Sequence, residues 1–307
     1  MPGSQSFAPD PRNHSVLVSL NGQLMSRQVA KVSIFDGGFV VGDGIWEGVR
    51  LHKGALLFLD EHIARLYQGA QKIRLDIGVE PSALIAEIWR TLEANRMRDG
   101  VHIRIMVTRG EKSGLNQDPR NALDHPTIVI VAEFKVPDPG LVDRGLTLNT
   151  VSVRCTPSQM FDMRLNSHSR LNLILALLEA IDAGADEALM LDPLGMVSSC
   201  NSTNFFCVSG SEVLTSSGEY CFNGVTRDQV IGLCRQSGIP IRVGGFTMSE
   251  VHAAQEAFVT GTFGGLTPVS KIDAVKLAGA IPGPVTRRLS DLYESLKDSQ
   301  SLLGHGP

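Results

Sequence analysis

The sequence predicts two domains, a small α/β domain followed by a larger α+β domain. Three observations carry that reading. At 307 residues the chain is long enough for about two domains, each with its own core. Short apolar runs alternate with helix-period patterns along its length. Between the two halves, the stretch KVPDPGLVDRG (135–145) carries two prolines and two glycines and is the best linker candidate. The expected order is a polar, poorly ordered tail over 1–14, a small α/β domain over 15–135 and an interdomain linker over 136–145. A large α+β domain over 146–297 and a second poorly ordered tail over 298–307 follow.

Each element follows from local pattern. From Val16 short apolar runs give way to helical spacing: Ile63, Leu66, Ala70 and Ile73 recur after Asp60, a candidate N-cap. Leu84, Ile85, Ile88 and Leu92 follow Ser82 in the same way. GVHIRIMVTRG (100–110) and HPTIVIVAEF (125–134) read as β-rich strands. Beyond the linker, Leu171, Ile174, Leu175, Leu178 and Ile181 mark a helix, and strands are expected near 187–192, 204–208 and 212–216. A helix opening at Thr226, the strand EAFVT (256–260) and a last helix around 285–296 complete the domain. No internal repeat or low-complexity stretch interrupts this order.

Composition excludes several classes of function. Hydrophobic residues make up 43% and charged residues 20%, an ordinary globular balance. A formal charge of -4 gives no general attraction to nucleic acid or acidic membranes. The cysteines, Cys155, Cys200, Cys207, Cys221 and Cys234, are odd in number and lack CxxC spacing, so neither a disulfide framework nor a metal site is expected. The segment MPGSQSFAPDPRNHS lacks the apolar core of a signal peptide, and no apolar run approaches about 18 residues. The expectation is a soluble, cytoplasmic protein with a small-molecule ligand.

Two short motifs suit an anion. Gly224, Val225 and Thr226 enter the helix whose apolar positions are Val230, Ile231 and Cys234. A helix N-terminus offers amides and a favourable dipole, glycine lets the backbone approach the ligand, and threonine can cap the helix or donate its hydroxyl. Gly261 and Thr262, just past EAFVT, offer a second set of donors. Taken singly, the first is an ordinary helix cap and the second an ordinary turn.

Those motifs belong to a longer series. VSIFDGGFVVGDGIWEGVR (32–50), LDEHIARLYQGAQKI (59–73), GADEALMLD (184–192), NGVTRDQVI (223–231) and FVTGTFGGLTPV (258–269) occur in this order. In motif order and spacing the chain resembles the class IV, fold-type IV aminotransferases, which include branched-chain and D-amino acid aminotransferases. The resemblance spans about residues 16–297. It implies the two-domain fold-type IV architecture and pyridoxal 5′-phosphate as cofactor. It also implies amino-group transfer between an amino acid or amine and a 2-oxo acid, in a homodimer. It makes Arg65 the phosphate's cation, beside Gly224, Val225, Thr226, Gly261 and Thr262.

The same resemblance exposes a departure. The family's lysine, which carries the cofactor aldehyde as an imine and then shuttles a proton, sits shortly before the helix that here contains Glu179-Ala180. No lysine occurs between Lys135 and Lys271. Ungapped alignment places Asn166 at the lysine position, and a two-residue insertion places Arg164 there. Neither replaces lysine, because an amide has no basic amine and a guanidinium stays protonated. His168 is the candidate substitute for the proton shuttle, with a partly buried structural histidine as the alternative reading. The family's glutamate at the pyridine nitrogen falls on Ser199 when the alignment runs through Asn204, leaving the ring a weaker electron sink. The cofactor is therefore expected to be non-covalent pyridoxal phosphate or pyridoxamine phosphate, with slow transamination.

Substrate contacts are fewer. Phe39 stands where D-amino acid aminotransferases carry an aromatic pocket residue, with Val41, Trp46 and Glu47 flanking it. His102 and Arg104 share one face of a strand, and a bidentate arginine is the usual grip on a carboxylate. Phe263 and Gly264 sit beside Thr262, and Arg170 falls near the cofactor's phenolic oxygen by the resemblance. Three readings stay open: an atypical aminotransferase, a lysine-independent enzyme of lyase or racemase type, and a non-catalytic cofactor-binding relative.

Overall fold

The computed structural model describes residues 3–123 and 125–302, which fall into two units. The first contains residues 8–136, 165–170 and the chain from 297 onward, and the second contains residues up to 7, 137–164 and 171–296. Both units are discontinuous in sequence, where the pattern along the chain had suggested contiguous domains.

The first unit is built on a six-stranded sheet. Its elements are β1 (Leu17–Leu20), β2 (Gln23–Ser26), α1 (Gly37–Val41), β3 (Gly44–His52), β4 (Ala55–Leu57), α2 (Leu59–Lys72), α3 (Pro81–Ala94), β5 (Val101–Thr108) and β6 (Thr127–Phe134). The strand order is β2-β1-β6-β5-β3-β4. Asn21 (φ 48°) and Gly22 (φ 75°) close the β1–β2 hairpin, since a two-residue turn of this hand needs positive φ at both positions. Ile63, Leu66 and Ala70 of α2 and Leu84, Ile88 and Leu92 of α3 bury against Ile45, Val49, Ile103 and Ile105. Each large aliphatic side chain so buried contributes roughly 1.5–3 kcal/mol. Helix α2 starts one residue before Asp60, with Phe58 in the left-handed region as its N-cap. Asp60 instead lies in the first turn, where its charge complements the helix dipole. Helix α3 begins at Pro81 with Glu80 as N-cap.

The second unit carries α4 (Gly140–Arg144), β7 (Leu146–Thr150), α5 (Leu171–Asp182), β8 (Glu187–Leu191), β9 (Val197–Cys200), β10 (Asn204–Ser209), β11 (Glu212–Thr215) and α6 (Val225–Gln236). It continues with β12 (Ile241–Val243), α7 (Met248–His252), β13 (Glu256–Gly261), β14 (Gly265–Ile272), β15 (Val275–Lys276) and α8 (Pro284–Leu302). Its sheet runs β12-β11-β10-β13-β14-β7-β8-β9, and β15 pairs with β14. Phe205, Val259, Leu189, Leu146 and Val269 are among its core residues. Helix α4 occupies the C-terminal half of the expected linker apart from Gly145, and Leu141 anchors it in the same core.

The ends differ from expectation. Residues 3–14 are tied down by their polar groups rather than loose. Ser4 and Asn13 are buried, the Asp10 side chain caps a short 3-10 turn over Pro11–Ser15, and Asn13 exchanges two hydrogen bonds (2.9 and 2.8 Å) with the Phe134 backbone. Helix α8 runs to Leu302, past the expected boundary at 297, and residues 303–307 of the expected tail lie outside the described residues. Among the described residues no helix is long and apolar enough to cross a membrane, and no group of His, Cys, Asp and Glu is arranged to hold a metal ion.

Candidate active site

Strand β3 sends alternate side chains to opposite faces of the six-stranded sheet. Glu47 turns to the core face with Ile45 and Val49, where α2 presents His62 and Arg65. Arg65 grips Glu47 with two nitrogens, Nε to Oε1 at 2.7 Å and Nη2 to Oε2 at 2.8 Å, and His62 Nδ1 lies 2.8 Å from Oε2. Glu47 and His62 are each 1% exposed, and the Arg65 side chain is 20% exposed. Burial opposes ionisation of Glu47, but the hydrogen bonds and charges of Arg65 and His62 outweigh it and hold the carboxyl below its ordinary range. The guanidinium is thereby fixed in orientation at a partly open position.

Trp46 turns to the other face, opposite Met106 and next to Arg104 of β5. The Arg104 guanidinium lies 3.8 Å from the centre of the indole ring. Residues 165–170 pack on this face of the same unit. The Trp46 amide donates to the Asn166 carbonyl (2.9 Å), its indole N–H donates to Ser167 O (3.2 Å), and Arg170 Nε donates to Ser167 O (2.9 Å). Arg170 Nη2 donates to the Asn166 side-chain oxygen, and its guanidinium lies 5.2 Å from the Trp46 ring. Asn166 is therefore a buried amide held by a cation. Burial, together with the nearby Arg104 charge, pulls Arg170 down to about 10. His102, on the same face as Arg104, is pushed down to about 3 by burial and then by Arg50, Arg104 and Lys135. This face is rich in positive charge.

His168 lies within that segment. Its amide donates to Gly44 O (3.0 Å). Its Nε2 is buried with no hydrogen-bond partner among the described residues. Burial lowers its pKa, and Arg104 and Arg170 add to that effect. The lowered pKa favours the neutral imidazole. Phe39 (76% exposed) and Val41 (38%) lie on α1. Arg164 behaves differently from Asn166 and His168: it is an exposed side chain paired with Asp162 (2.8 Å), with no buried surroundings in which to act on a cofactor. Arg109 is a structural tie, bonded to Asp43 and to the carbonyls of Ile73 and Arg74.

The second unit presents a set of donors. Helix α6 opens at Gly224 without a side-chain cap, so its first amides remain for an anion. A Cβ at position 224 would collide with Asn204 Oδ1, which accepts the Gly224 amide at 3.2 Å. Asn204 Nδ2 donates to Phe222 O (2.7 Å) and lies 3.4 Å from Ser199 Oγ. The Ser199 hydroxyl donates to Thr203 O (2.8 Å), so toward a ligand its oxygen is an acceptor. Thr226 Oγ1 lies 3.5 Å from the Tyr293 hydroxyl. Thr260 stands opposite Asn204 in the β10–β13 register, hence on the same face, and its buried Oγ1 has no hydrogen-bond partner among the described residues. Gly261 and Gly265 close the hairpin whose turn is Thr262, Phe263 and Gly264. Uncapped helix amides, an unspent threonine hydroxyl and a glycine held close to Asn204 make a donor set that fits a phosphate.

The family model for class IV amino-transferases matches residues 44–272. The chain is 36% identical over 283 residues to a putative branched-chain-amino-acid aminotransferase of Methanocaldococcus jannaschii, covering 91% of this chain and 96% of that protein. It is also 36% identical over 294 residues to the branched-chain-amino-acid aminotransferase-like protein 2 of Arabidopsis thaliana. That match covers 96% of this chain, which spans about half (52%) of the plant protein. Among solved structures, the branched-chain aminotransferase of the thermophilic archaeon Thermoproteus uzoniensis with norvaline superimposes with a TM-score of 0.83 at 28% identity, covering 93% of this chain and 96% of that one. With its two sheets and its uncapped α6, this chain belongs to the class IV aminotransferase family.

Sequence reasoning placed Glu47 beside the substrate contact Phe39 rather than in a buried ion pair, and His62 drew no attention. The signal was a glutamate in an otherwise apolar register of β3, with His62 and Arg65 one turn apart on the facing helix. Glu187, buried in the otherwise apolar strand β8, carried the same kind of signal.

Proposed function

We propose that this chain binds pyridoxal 5′-phosphate without a covalent bond and transfers amino groups between an amino acid or amine and a 2-oxo acid. The observation that carries the proposal is the start of α6, which has no side-chain cap and whose Gly224 is held against Asn204; the non-covalent reading rests on the family resemblance, by which Asn166 falls at the lysine position. When bound, the cofactor supplies an electron-accepting ring that eases loss of a proton from the substrate carbon. In the nine-stranded unit, the amides of Val225 and Thr226, the Thr226 hydroxyl and the Gly261–Thr262 turn receive the phosphate. Ser199, held by Thr203 and Asn204, offers its oxygen to a protonated ring nitrogen. In the six-stranded unit, Glu47 and His62 hold Arg65, which by the family resemblance would be the phosphate's cation; Arg170 would meet the phenolic oxygen, and Arg104, over Trp46, would hold the substrate carboxylate. Phe39, Val41, His102, Phe263 and Gly264 shape the substrate contacts.

His168 Nε2 is the base. That atom has no hydrogen-bond partner among the described residues and the lowered pKa favours the neutral ring, which suits acceptance of a proton from the substrate carbon. The same base without a lysine also serves proton abstraction of the lyase or racemase type, so the products distinguish the two chemistries.

The stripe Leu171, Ile174, Leu175, Leu178 and Ile181 on α5 is 48–68% exposed. This apolar, uncharged stripe suits a second copy of the chain, in line with a homodimer. All five cysteines are free and buried, which suits the reducing cytoplasm.

The test loads the protein with pyridoxamine phosphate and follows appearance of the aldehyde absorbance across a panel of 2-oxo acids. Slow conversion is expected, and His168→Ala should lower its rate by roughly 10²- to 10⁴-fold. Unchanged conversion in that variant removes His168 as the base. Failure of every oxo acid while the cofactor stays bound supports the non-catalytic relative instead.

A further inference from the structure

The N-terminal segment is built into the nine-stranded unit at the Gly261–Gly265 turn. The Ser4 amide donates to Glu187 Oε1 (2.8 Å), and the Thr203 hydroxyl donates to Glu187 Oε2 (2.8 Å). Thr203 also packs on the turn, its methyl 3.5 Å from where a Cβ on Gly261 would stand. On the turn's other side, a Cβ on Gly264 would stand 3.5 Å from the Ser4 carbonyl oxygen, and the Gln5 side-chain nitrogen is 4.0 Å from the Gly261 position. Phe7 meets Phe263 edge-on, with 6.2 Å between ring centres, and bridges to Pro137. The Ser6 amide donates to Gly3 O (2.9 Å), which folds the segment into a turn of its own.

Glu187 is 2% exposed within an apolar strand, and its donors Ser4 and Thr203 are neutral. Burial pushes its carboxyl up, and neighbouring Asp186 acts in the same direction. Burying such a group is costly unless its hydrogen bonds are kept, so the strap and Thr203 are coupled through one carboxyl. Movement of the strap exposes or unpairs Glu187 and frees Thr203 from the turn.

We propose that residues 3–7, Glu187 and Thr203 are positioning residues that hold the Gly261–Gly264 turn in the geometry that receives a phosphate. The proposal rests on the cofactor reading above. It gives the N-terminal segment a role in discriminating pyridoxal phosphate from its unphosphorylated form.

The test measures dissociation constants for pyridoxal phosphate and for pyridoxal by equilibrium titration. The proteins are the full chain, the chain lacking residues 1–7, Phe7→Ala and Phe7→Tyr, each with its melting temperature. Loss of residues 1–7 should weaken pyridoxal phosphate about ten-fold more than pyridoxal. Phe7 is 39% exposed, so its replacement by alanine leaves folding intact. It should shift the ratio about three-fold in the same direction, and tyrosine should restore it. A merely structural role lowers the melting temperature and weakens both ligands equally, and that result overturns the proposal. If the truncated chain does not fold, the Phe7 pair decides by the same ratio. Full-chain binding of neither ligand overturns the cofactor reading and this inference together, whereas phosphate preference retained in every variant overturns this inference alone.

Discussion

Glu47 shows how much one residue can hide. Its carboxylate is buried on the core face of β3 and answered by Arg65 and His62. Because its pKa is lowered in the folded state, the folded protein binds fewer protons here than the unfolded chain. Its contribution to stability is therefore present above the ordinary carboxylate pKa and lost as pH falls through the lower folded value. Glu47→Gln is expected to destabilise the protein by about 3 kcal/mol at pH 7, since it leaves the Arg65 guanidinium without its carboxylate. Denaturant melts of wild type and variant should converge as pH is lowered toward the acid limit, and a gap independent of pH contradicts the assignment. At this scale the lysine-free stretch from 136 to 270 was legible from the sequence, because an absence needs no structure. The bond between Arg170 and Asn166 was not legible: it depends on residues 165–170 packing along Trp46, and no spacing rule encodes that. Alignment offered Asn166 without a gap and Arg164 with a two-residue insertion; in the structure Asn166 is buried and Arg164 is exposed.

At the scale of elements, helices with strong periodicity were read nearly to their ends, because apolar residues at helical spacing leave few alternatives. α2 and α3 lie where Ile63, Leu66, Leu84 and Ile88 placed them. Caps were harder, since Phe58 begins α2 from a left-handed conformation that its side chain gives no reason to expect. The N-terminal strap was misread because its polar, proline-bearing composition is that of disorder, and only its partners, the buried Glu187 carboxyl and the Phe134 backbone, reveal its order. The start of α6 was legible to within one residue, from Gly224 and Thr226 at the head of an apolar helical pattern. Its requirement for glycine follows from Asn204. Gly224→Ala should break the Gly224–Asn204 bond and weaken pyridoxal phosphate about ten-fold or more, while the unfolding free energy falls by about 1–3 kcal/mol. Titration and denaturant melts read both, and unchanged affinity means that α6 does not receive the phosphate.

For the whole molecule, the sequence suggested two halves joined by a linker, and the structure instead threads each unit from separated segments. Residues 165–170 group with the six-stranded unit although they lie between segments of the other. No local pattern announces this, because the segment's partners, Gly44, Ile45 and Trp46, are more than a hundred residues away in the chain. The exposed stripe on α5 also acts at this scale. Replacing Leu175 and Leu178 by glutamate should convert a species of twice the chain mass into a monomer in sedimentation, and a wild type already monomeric refutes the dimer.

On the proposed reading, this family member would hold pyridoxal phosphate through phosphate and ring contacts alone. The direct measurement incubates wild type and Asn166→Lys with pyridoxal phosphate, reduces both with borohydride and maps any adduct by mass spectrometry. The account predicts saturable binding but no covalent adduct in the wild type, and an adduct at position 166 in the variant. An adduct on a native lysine of the wild type, such as Lys135 or Lys271, would contradict it.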